Sequence, residues 1–172
     1  DPPLPIDRYL GAHYVVENYT DTAGTPAVRF SVGMEDFLRS AGAAYNAQVL
    51  KTPGAGHLKT GKADTPYTAE ECAGDADEPS GVLGFCSASH LMRLLFAARV
   101  ARPDLQTGIV RLSKYITCWK VRHDRALQRL MSYAVCSAAL KLTGSMPIGN
   151  LEAVKLVVWP DADLAGDKGS SK

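Results

Sequence analysis

Two carboxylates near the end of the sequence have the spacing of paired metal ligands. Asp161 and Asp163 follow an apolar run, Glu152–Trp159, that is typical of a β-strand. Residues two apart in a strand face the same side of the sheet, and Mg²⁺ prefers oxygen ligands. Cleavage of a phosphodiester by two metal ions needs several carboxylates from different elements. The pair by itself therefore predicts weak Mg²⁺ binding at most, with a solvated acidic segment as the alternative.

Histidine and cysteine show no catalytic or zinc-binding pattern. The histidines are scattered with no serine or cysteine at a recognisable spacing, which favours core or surface roles for His13, His57, His90 and His123. No Cys-x-x-Cys pair exists, although a structural zinc site usually takes its four ligands from two close pairs. We therefore expect reduced thiols, in a cytosolic, nuclear or organellar interior, at Cys72, Cys86, Cys118 and Cys136.

A basic stripe is the strongest candidate for a binding surface. Arg122, Arg125 and Arg129 follow each other at steps of three and four residues, which places them on one face of a helix. Arg111 and Lys114 precede them. Such a face can neutralise phosphates without reading base sequence. The alternative is an ordinary solvated helix face whose arginine stems cover apolar neighbours.

The charge distribution along the chain is uneven, although the net charge is only +1. Between Gly61 and Ser80 there are six acids and one lysine, whereas nine bases and two acids lie between His90 and Leu130. This segregation favours a partner of complementary charge, either nucleic acid or a larger protein assembly. Tyr115 and Trp119 lie within the basic block and could stack on bases or anchor helical packing.

Composition and patterning predict a soluble α+β domain. The chain is 46% hydrophobic and 22% charged, and no apolar run is long enough for a transmembrane helix. The predicted fold has an N-terminal β-hairpin, a central bundle of about four helices and a C-terminal β-hairpin. We expect a division into residues 1–33, 34–137 with an acidic surface loop at 51–80, and 138–172.

The predicted elements follow from hydrophobic periodicity and from turn residues. The first hairpin pairs Tyr9–Tyr19 with Ala27–Val32, and Gly11 indicates a bulge or a close backbone approach. Ser31 is a candidate cap for the helix that follows. The helices are expected at Met34–Val49, Val82–Val100, from Pro103 to Ile116 and at His123–Ala139, and the last two strands at Ala138–Thr143 and Glu152–Trp159.

Several short motifs, in this order, resemble the end of a copia-type retrotransposon reverse transcriptase as it continues into RNase H. They are Tyr9-Leu10-Gly11, Lys51-Thr52-Pro53, Arg102-Pro103-Asp104, His123-Asp124, Tyr133-Ala134-Val135-Cys136 and Asp161-Ala162-Asp163-Leu164-Ala165-Gly166-Asp167. The chain departs from the family pattern by having Ala101 for Thr, Pro160 for Ser or Thr, and Leu164 for Trp.

The resemblance implies a thumb and connection region that runs into a first RNase H strand. The polymerase motif Tyr-x-Asp-Asp is absent, so we expect no enzyme activity from this chain alone, whereas a full-length parent would be an RNA-directed DNA polymerase with RNase H. Asp161 matches the first RNase H acid, and Mg²⁺ is expected only where a longer chain completes the set. Two functions follow: a non-catalytic segment that contacts a nucleic-acid backbone, or a domesticated structural subunit of a protein assembly.

Overall fold

Four antiparallel strands and four α-helices make up the residues that the computed structural model describes, 7–68 and 77–148. The strands are β1 (Arg8–Tyr9), β2 (Ala12–Thr20), β3 (Pro26–Gly33) and β4 (Lys141–Pro147). The helices are α1 (Glu35–Lys51), α2 (Gly84–Val100), α3 (Gln106–Ser113) and α4 (Val121–Cys136), with 3₁₀ turns at Gly56–Leu58, Pro103–Leu105 and Ile116–Cys118. The α+β class is confirmed. The predicted strand Glu152–Trp159 and the acids Asp161 and Asp163 lie outside the described residues.

The strands form one sheet in the order β1-β2-β3-β4. Leu10 and Gly11 join β1 to β2 as a two-residue turn in which both residues have positive φ, a conformation that glycine adopts without strain. The expectation of a bulge or close approach at Gly11 was therefore wrong, because the glycine serves the turn. β4 begins at Lys141, later than expected, and pairs with β3 from Gly33 to Ala27.

One face of the sheet is apolar, and only one end of it is covered. Ala12 and Val32 are buried against the helical core. Farther along the same face, residues at alternate positions extend beyond the helices, as the two-residue period of a strand requires. On this part of the face, which we call the apolar overhang, the exposed residues include Val16, Phe30, Leu142 and Met146. No residue of β2, β3 or β4 on the overhang is charged.

The helices pack around a core that α1, α2 and α4 share. Leu38, Tyr45, Leu94, Leu127 and Leu130 are fully buried in it. The segment that follows α1 was expected to lie on the surface, but Leu58 is also buried. The Tyr45 hydroxyl donates a hydrogen bond to the Leu58 carbonyl at 2.9 Å, which holds the 3₁₀ turn on the core.

The start of α1 differs from expectation. Ser31 does not cap the helix, because it lies within β3 and its hydroxyl pairs with that of Thr143 at 3.2 Å. Met34 precedes the first helical residue without a side-chain cap. Glu35 and Asp36 occupy the first turn, where negative charge suits the helix dipole.

Proline separates α2 from α3, as the sequence predicts. Pro103 occupies the first position of a 3₁₀ turn, where its missing N–H costs no hydrogen bond. Leu105, Ile109 and Leu112 are buried beyond it, whereas Ile116 is only partly buried. None of the helices in the described ranges has the length and apolar character needed to cross a bilayer.

Candidate nucleic-acid interface

The predicted arginine stripe lies on α4. This helix begins where the Lys120 N–H donates to Nδ1 of His123 at 2.9 Å, which satisfies one of the amides that an isolated helix start leaves unpaired. Ala126, Leu127 and Leu130 face the core, and Arg125 and Arg129 lie on the side of α4 turned away from it. The predicted helix is therefore confirmed, whereas the expected outward stripe holds for Arg125 and Arg129 and not for Arg122, whose side chain is mostly buried.

Arg125 and Arg129 meet a lysine that the sequence did not point to. Together with Lys62 they line a shallow groove of about 360 Å³ on the outer side of α4. Its other lining residues, Gly61, Ala63, Gln128 and Ser132, carry no negative charge. Three basic residues thus line one open concavity, which we call the α4 groove.

Hydrogen bonds between α4 and the segment before Lys62 fix the third cation in place. The Gln128 amide donates to the carbonyls of His57 and Lys59, at 3.1 and 2.8 Å. The Gly61 N–H donates to the Ser132 hydroxyl at 3.0 Å. Because these bonds hold the backbone on both sides of Lys59, Lys62 lies beside α4. No spacing of residues in the sequence predicts that Lys62 lies beside α4.

The other predicted cations do not line the α4 groove. Arg122 donates to the Glu78 carboxylate at 2.8 Å, and both side chains are mostly buried. Arg111 lies over the ring of Tyr67, 4.8 Å from its centre. Lys114 is exposed directly after the last residue of α3. The structure therefore groups Arg125 and Arg129 with Lys62 and places Arg122 against an acid.

The aromatic residues near the stripe have packing roles. Trp119 is buried, and its indole N–H donates to the Asp124 carboxylate at 2.7 Å, so of its two expected roles the one in helical packing is confirmed. Tyr115 stacks on the His123 ring with centroids 4.3 Å apart. Burial, reinforced by the charge of Arg122, lowers the pKa of His123, which keeps this imidazole neutral near pH 7.

Asp124 organises the segment that carries Glu78. Its carboxylate accepts hydrogen bonds from the backbone N–H groups of Val82 and Leu83, at 2.8 and 3.0 Å, besides the one from Trp119. Leu83 directly precedes α2, so this buried acid also satisfies donors at the start of that helix. Asp124 is consequently a structural carboxylate.

No side-chain cluster suited to a metal ion is formed by residues 7–68 and 77–148: three or more of histidine, cysteine, aspartate and glutamate nowhere converge there. The predicted pair of Asp161 and Asp163 lies beyond these residues, and its geometry stays a prediction.

Comparison with known proteins gives one relevant similarity. The chain is 31% identical over 130 residues to the retrovirus-related Pol polyprotein from transposon TNT 1-94 of Nicotiana tabacum. The match covers 74% of this chain and 9% of that polyprotein. No family model matches the chain, and no solved structure matches it. The similarity supports an origin in a retrotransposon polyprotein.

Proposed function

We propose that this chain is a non-catalytic segment of a copia-type reverse transcriptase, or a derivative of one, that holds a nucleic-acid duplex by its backbone. The α4 groove carries the proposal, because Lys62, Arg125 and Arg129 line it and no acid among residues 7–68 and 77–148 does. The order of the motifs along the chain and the similarity to a Pol polyprotein support the same origin.

The chemistry of the groove suits phosphate. A guanidinium presents several N–H donors in a fixed plane and binds phosphate oxygens through charge-assisted hydrogen bonds. Arg125 and Arg129 are one helical turn apart, about 6 Å along the axis. That separation resembles the distance between neighbouring phosphates of one strand. Such contacts position a duplex without reading its bases, so we propose binding that is independent of sequence.

Salt dependence provides the test. Each phosphate neutralised contributes about 0.9 to the slope of log affinity against log salt concentration, so three cations predict a slope of about −2.7. Fluorescence anisotropy of a labelled 20-base-pair duplex between 50 and 200 mM salt measures it. The double variant R125Q/R129Q should reduce the slope by about 2 and weaken binding at low salt.

A control variant tests whether the position of the removed charge, and not the total charge of the protein, determines the loss of binding. Arg39 lies exposed on α1, so R39Q removes one positive charge away from the α4 groove. We expect its slope to equal that of the unmodified protein. Equal losses from R39Q, R125Q and R129Q would contradict a site at the groove, and salt-insensitive or undetectable binding would contradict the function itself.

We also propose that the chain alone does not cleave RNA in an RNA–DNA hybrid. Asp161 matches the first RNase H acid and Asp163 lies two residues farther along, but hydrolysis by two metal ions needs more ligands from other elements. The purified chain should therefore leave an RNA–DNA hybrid intact in the presence of Mg²⁺. Magnesium-dependent degradation that D161N abolishes would overturn this part.

A second candidate function is a structural subunit of a larger protein assembly. The apolar overhang around Val16, Phe30 and Leu142 favours it, because a large uncharged exposed patch commonly marks an interface. The occupant we propose is another part of the same polyprotein, since the matched relative extends far beyond the 9% that this chain covers. The double variant V16T/F30T should no longer copurify with the rest of the polyprotein, and its duplex binding should be unchanged. Copurification equal to that of the original protein would contradict this candidate.

A further inference from the structure

We infer that two copies of this chain associate edge to edge through β4, in an antiparallel register centred on Gly144. β4 is the last strand in the order β1-β2-β3-β4, and no strand within residues 7–68 and 77–148 pairs with its outer edge. Every residue of β4 is exposed. An exposed edge presents unpaired N–H and C=O groups to which a further strand can bind. The inference goes beyond the proposed function, because no residue of β4 lines the α4 groove.

The pairing of β4 with β3 defines which backbone groups of β4 face outward. Directly after the strand, the Ile148 N–H donates to the Pro26 carbonyl at 2.8 Å. Backbone groups of residues two apart in a strand point to the same side, so those of Gly144 also face β3. The N–H and C=O groups of Thr143 and Ser145 therefore point to the outer edge, where a second strand would pair with them.

The side chains of β4 are symmetric in type about Gly144. On each side of the glycine comes first a hydroxyl residue, Thr143 or Ser145, and then an apolar residue, Leu142 or Met146. In an antiparallel pair centred on the glycine, Thr143 of one copy lies opposite Ser145 of the other. Leu142 likewise lies opposite Met146. Matched cross-strand pairs of this kind stabilise a sheet, and here both copies supply the same matches.

Other registers lose this match. A shift by one residue reverses the faces, so the apolar side chains of one copy would lie beside the polar side chains of the other. A shift by two residues would place Leu142 or Met146 opposite Gly144, which has no side chain to contact. The pattern of β4 therefore favours the register centred on Gly144.

The backbone suits the same register. With Gly144 on the two-fold axis, the outward N–H of Thr143 faces the Ser145 carbonyl of the second copy, and the Ser145 N–H faces the Thr143 carbonyl. The apolar overhangs of the two copies then adjoin on one face of the shared sheet. Because both copies use the same edge, the association closes at a dimer and does not continue into a filament.

Sedimentation equilibrium of the purified chain, from micromolar to millimolar concentration, tests the dimer. Two short strands bury little surface, so we expect weak and reversible association, with the mass rising toward twice the 18.4 kDa of the chain. T143P should keep the monomer mass throughout, because it removes an outward N–H and none that faces β3. T143A is the matched control. It loses the same hydroxyl, which pairs with that of Ser31, but it keeps the N–H and should dimerise.

A pair of charge variants tests the same edge without proline. T143K/S145K places positive charges of the two copies opposite each other, and T143E/S145E does the same with negative charges. Each variant alone should be monomeric, because like charges directly opposite each other destabilise a strand pair. An equimolar mixture should recover the dimer, since opposite charges then face each other across the axis.

Disulfide cross-linking tests the register. In the C72S/C118S/C136S background, G144C should form an intermolecular disulfide under mild oxidation. Residues that face each other at a non-hydrogen-bonded position of an antiparallel pair have Cα atoms about 4.5 Å apart, which a disulfide can span. L142C is the control and should remain reduced, because its position lies opposite Met146 of the second copy.

Three results would overturn the inference. The first is a chain that stays monomeric at every concentration, as it would if another part of the chain or of the polyprotein occupied this edge. The second is a dimer that T143P and both charge variants leave intact, because it would use another surface. The third is equal cross-linking of G144C and L142C. Duplex binding is measured separately, so the proposed function and this inference can each fail while the other stands.

Discussion

The guanidinium of Arg102 holds the carboxylate of Asp104, two residues farther along the chain, through two hydrogen bonds of 2.9 and 2.7 Å. The same guanidinium donates to the Ser137 carbonyl at 2.8 Å and to the Ser137 hydroxyl at 2.6 Å. Tyr133 completes the network by donating its hydroxyl to Asp104 at 2.9 Å. The Arg-Pro-Asp motif thus fixes the bend between α2 and α3 against the C-terminal end of α4. Its role in this chain is structural.

Replacing Arg102 with methionine should destabilise the fold. The side chain is almost completely buried, and R102M removes the hydrogen bonds that its guanidinium donates to the Ser137 carbonyl and to the Asp104 carboxylate. Breaking a buried ion pair from one side costs about 3–5 kcal/mol, and the partial exposure of Asp104 places this case at about 3 kcal/mol. Urea unfolding measures the change. R99M, at an exposed position on α2, should stay within about 0.5 kcal/mol of the original protein. Equal effects would contradict the structural role.

The same network predicts a loss of stability in acid. Burial by itself raises the pKa of Asp104, but hydrogen bonds from Arg102 and Tyr133, with the charge of Arg102, outweigh it and lower the pKa. Its contribution is therefore present above the unfolded-state pKa of about 3.9 and is lost as pH falls through the lower folded-state value. Below about pH 4, unfolding free energies of D104N should depend less steeply on pH than those of the original protein.

Asp64 provides the matched control for this acid dependence. It is exposed, so D64N removes one carboxylate without touching the Arg102 network. The slope of unfolding free energy against pH should remain that of the original protein in D64N. Identical slopes in the original protein, D64N and D104N would show that Asp104 does not account for the acid sensitivity.

Much of the fold follows from local sequence patterns. Two runs rich in Val, Tyr and Phe on either side of the turn-rich segment 20–26 predict the hairpin, and the pairing of β2 with β3 confirms it. Pro103 predicts the break between α2 and α3, since proline favours a helix start and disrupts a helix interior. The prediction that Ser31 caps α1 was wrong because serine also occurs in paired β-strands. Its actual partner, Thr143, is 112 residues away in the sequence, so no local pattern indicates the pairing.

The candidate site depended on contacts that no local pattern encodes. Three- and four-residue spacing correctly placed Arg125 and Arg129 on one helix face, but it carries no information about what approaches that face. Lys62 arrives through the hydrogen bonds of Gln128, and Glu78 arrives through pairing with the segment before α4. Sequence separation therefore concealed both the added lysine and the acid that pairs with Arg122.

Replacing Asp124 with asparagine should destabilise the fold. Its two oxygens accept three N–H donors, from Val82, Leu83 and Trp119, in a buried position. An asparagine side chain has one oxygen acceptor, and its NH₂ group would face a donor. We expect D124N to lower the free energy of unfolding by about 1–3 kcal/mol, the cost of a buried polar group left unsatisfied.

Hydrogen exchange localises this effect. Faster exchange at the Val82 and Leu83 amides in D124N than in the original protein would confirm that the carboxylate protects the start of α2. Unchanged stability and unchanged exchange at both amides would refute the structural role of Asp124. D77N, which changes an exposed acid just before the same segment, serves as the control and should leave both measurements unaltered.

Gly42 allows α1 and α4 to approach each other, and its replacement should have opposite effects in two backgrounds. A Cβ atom at this position would overlap Cγ2 of Val135 on α4, whereas it would lie 3.7 Å from the Val135 Cβ, an ordinary contact. Valine is restricted in χ1 within a helix, so the methyl group cannot turn away freely. Thermal unfolding should therefore show that G42A destabilises the protein, by about 1–2 kcal/mol.

In the V135A background the obstructing methyl group is gone, and G42A should then stabilise the protein by about 0.5–1 kcal/mol, because alanine is the better helix former. G61A, where the added Cβ meets no neighbour in the described structure, is the control for overlap. Destabilisation of equal size in both backgrounds would mean that something other than Val135 limits the approach of the two helices.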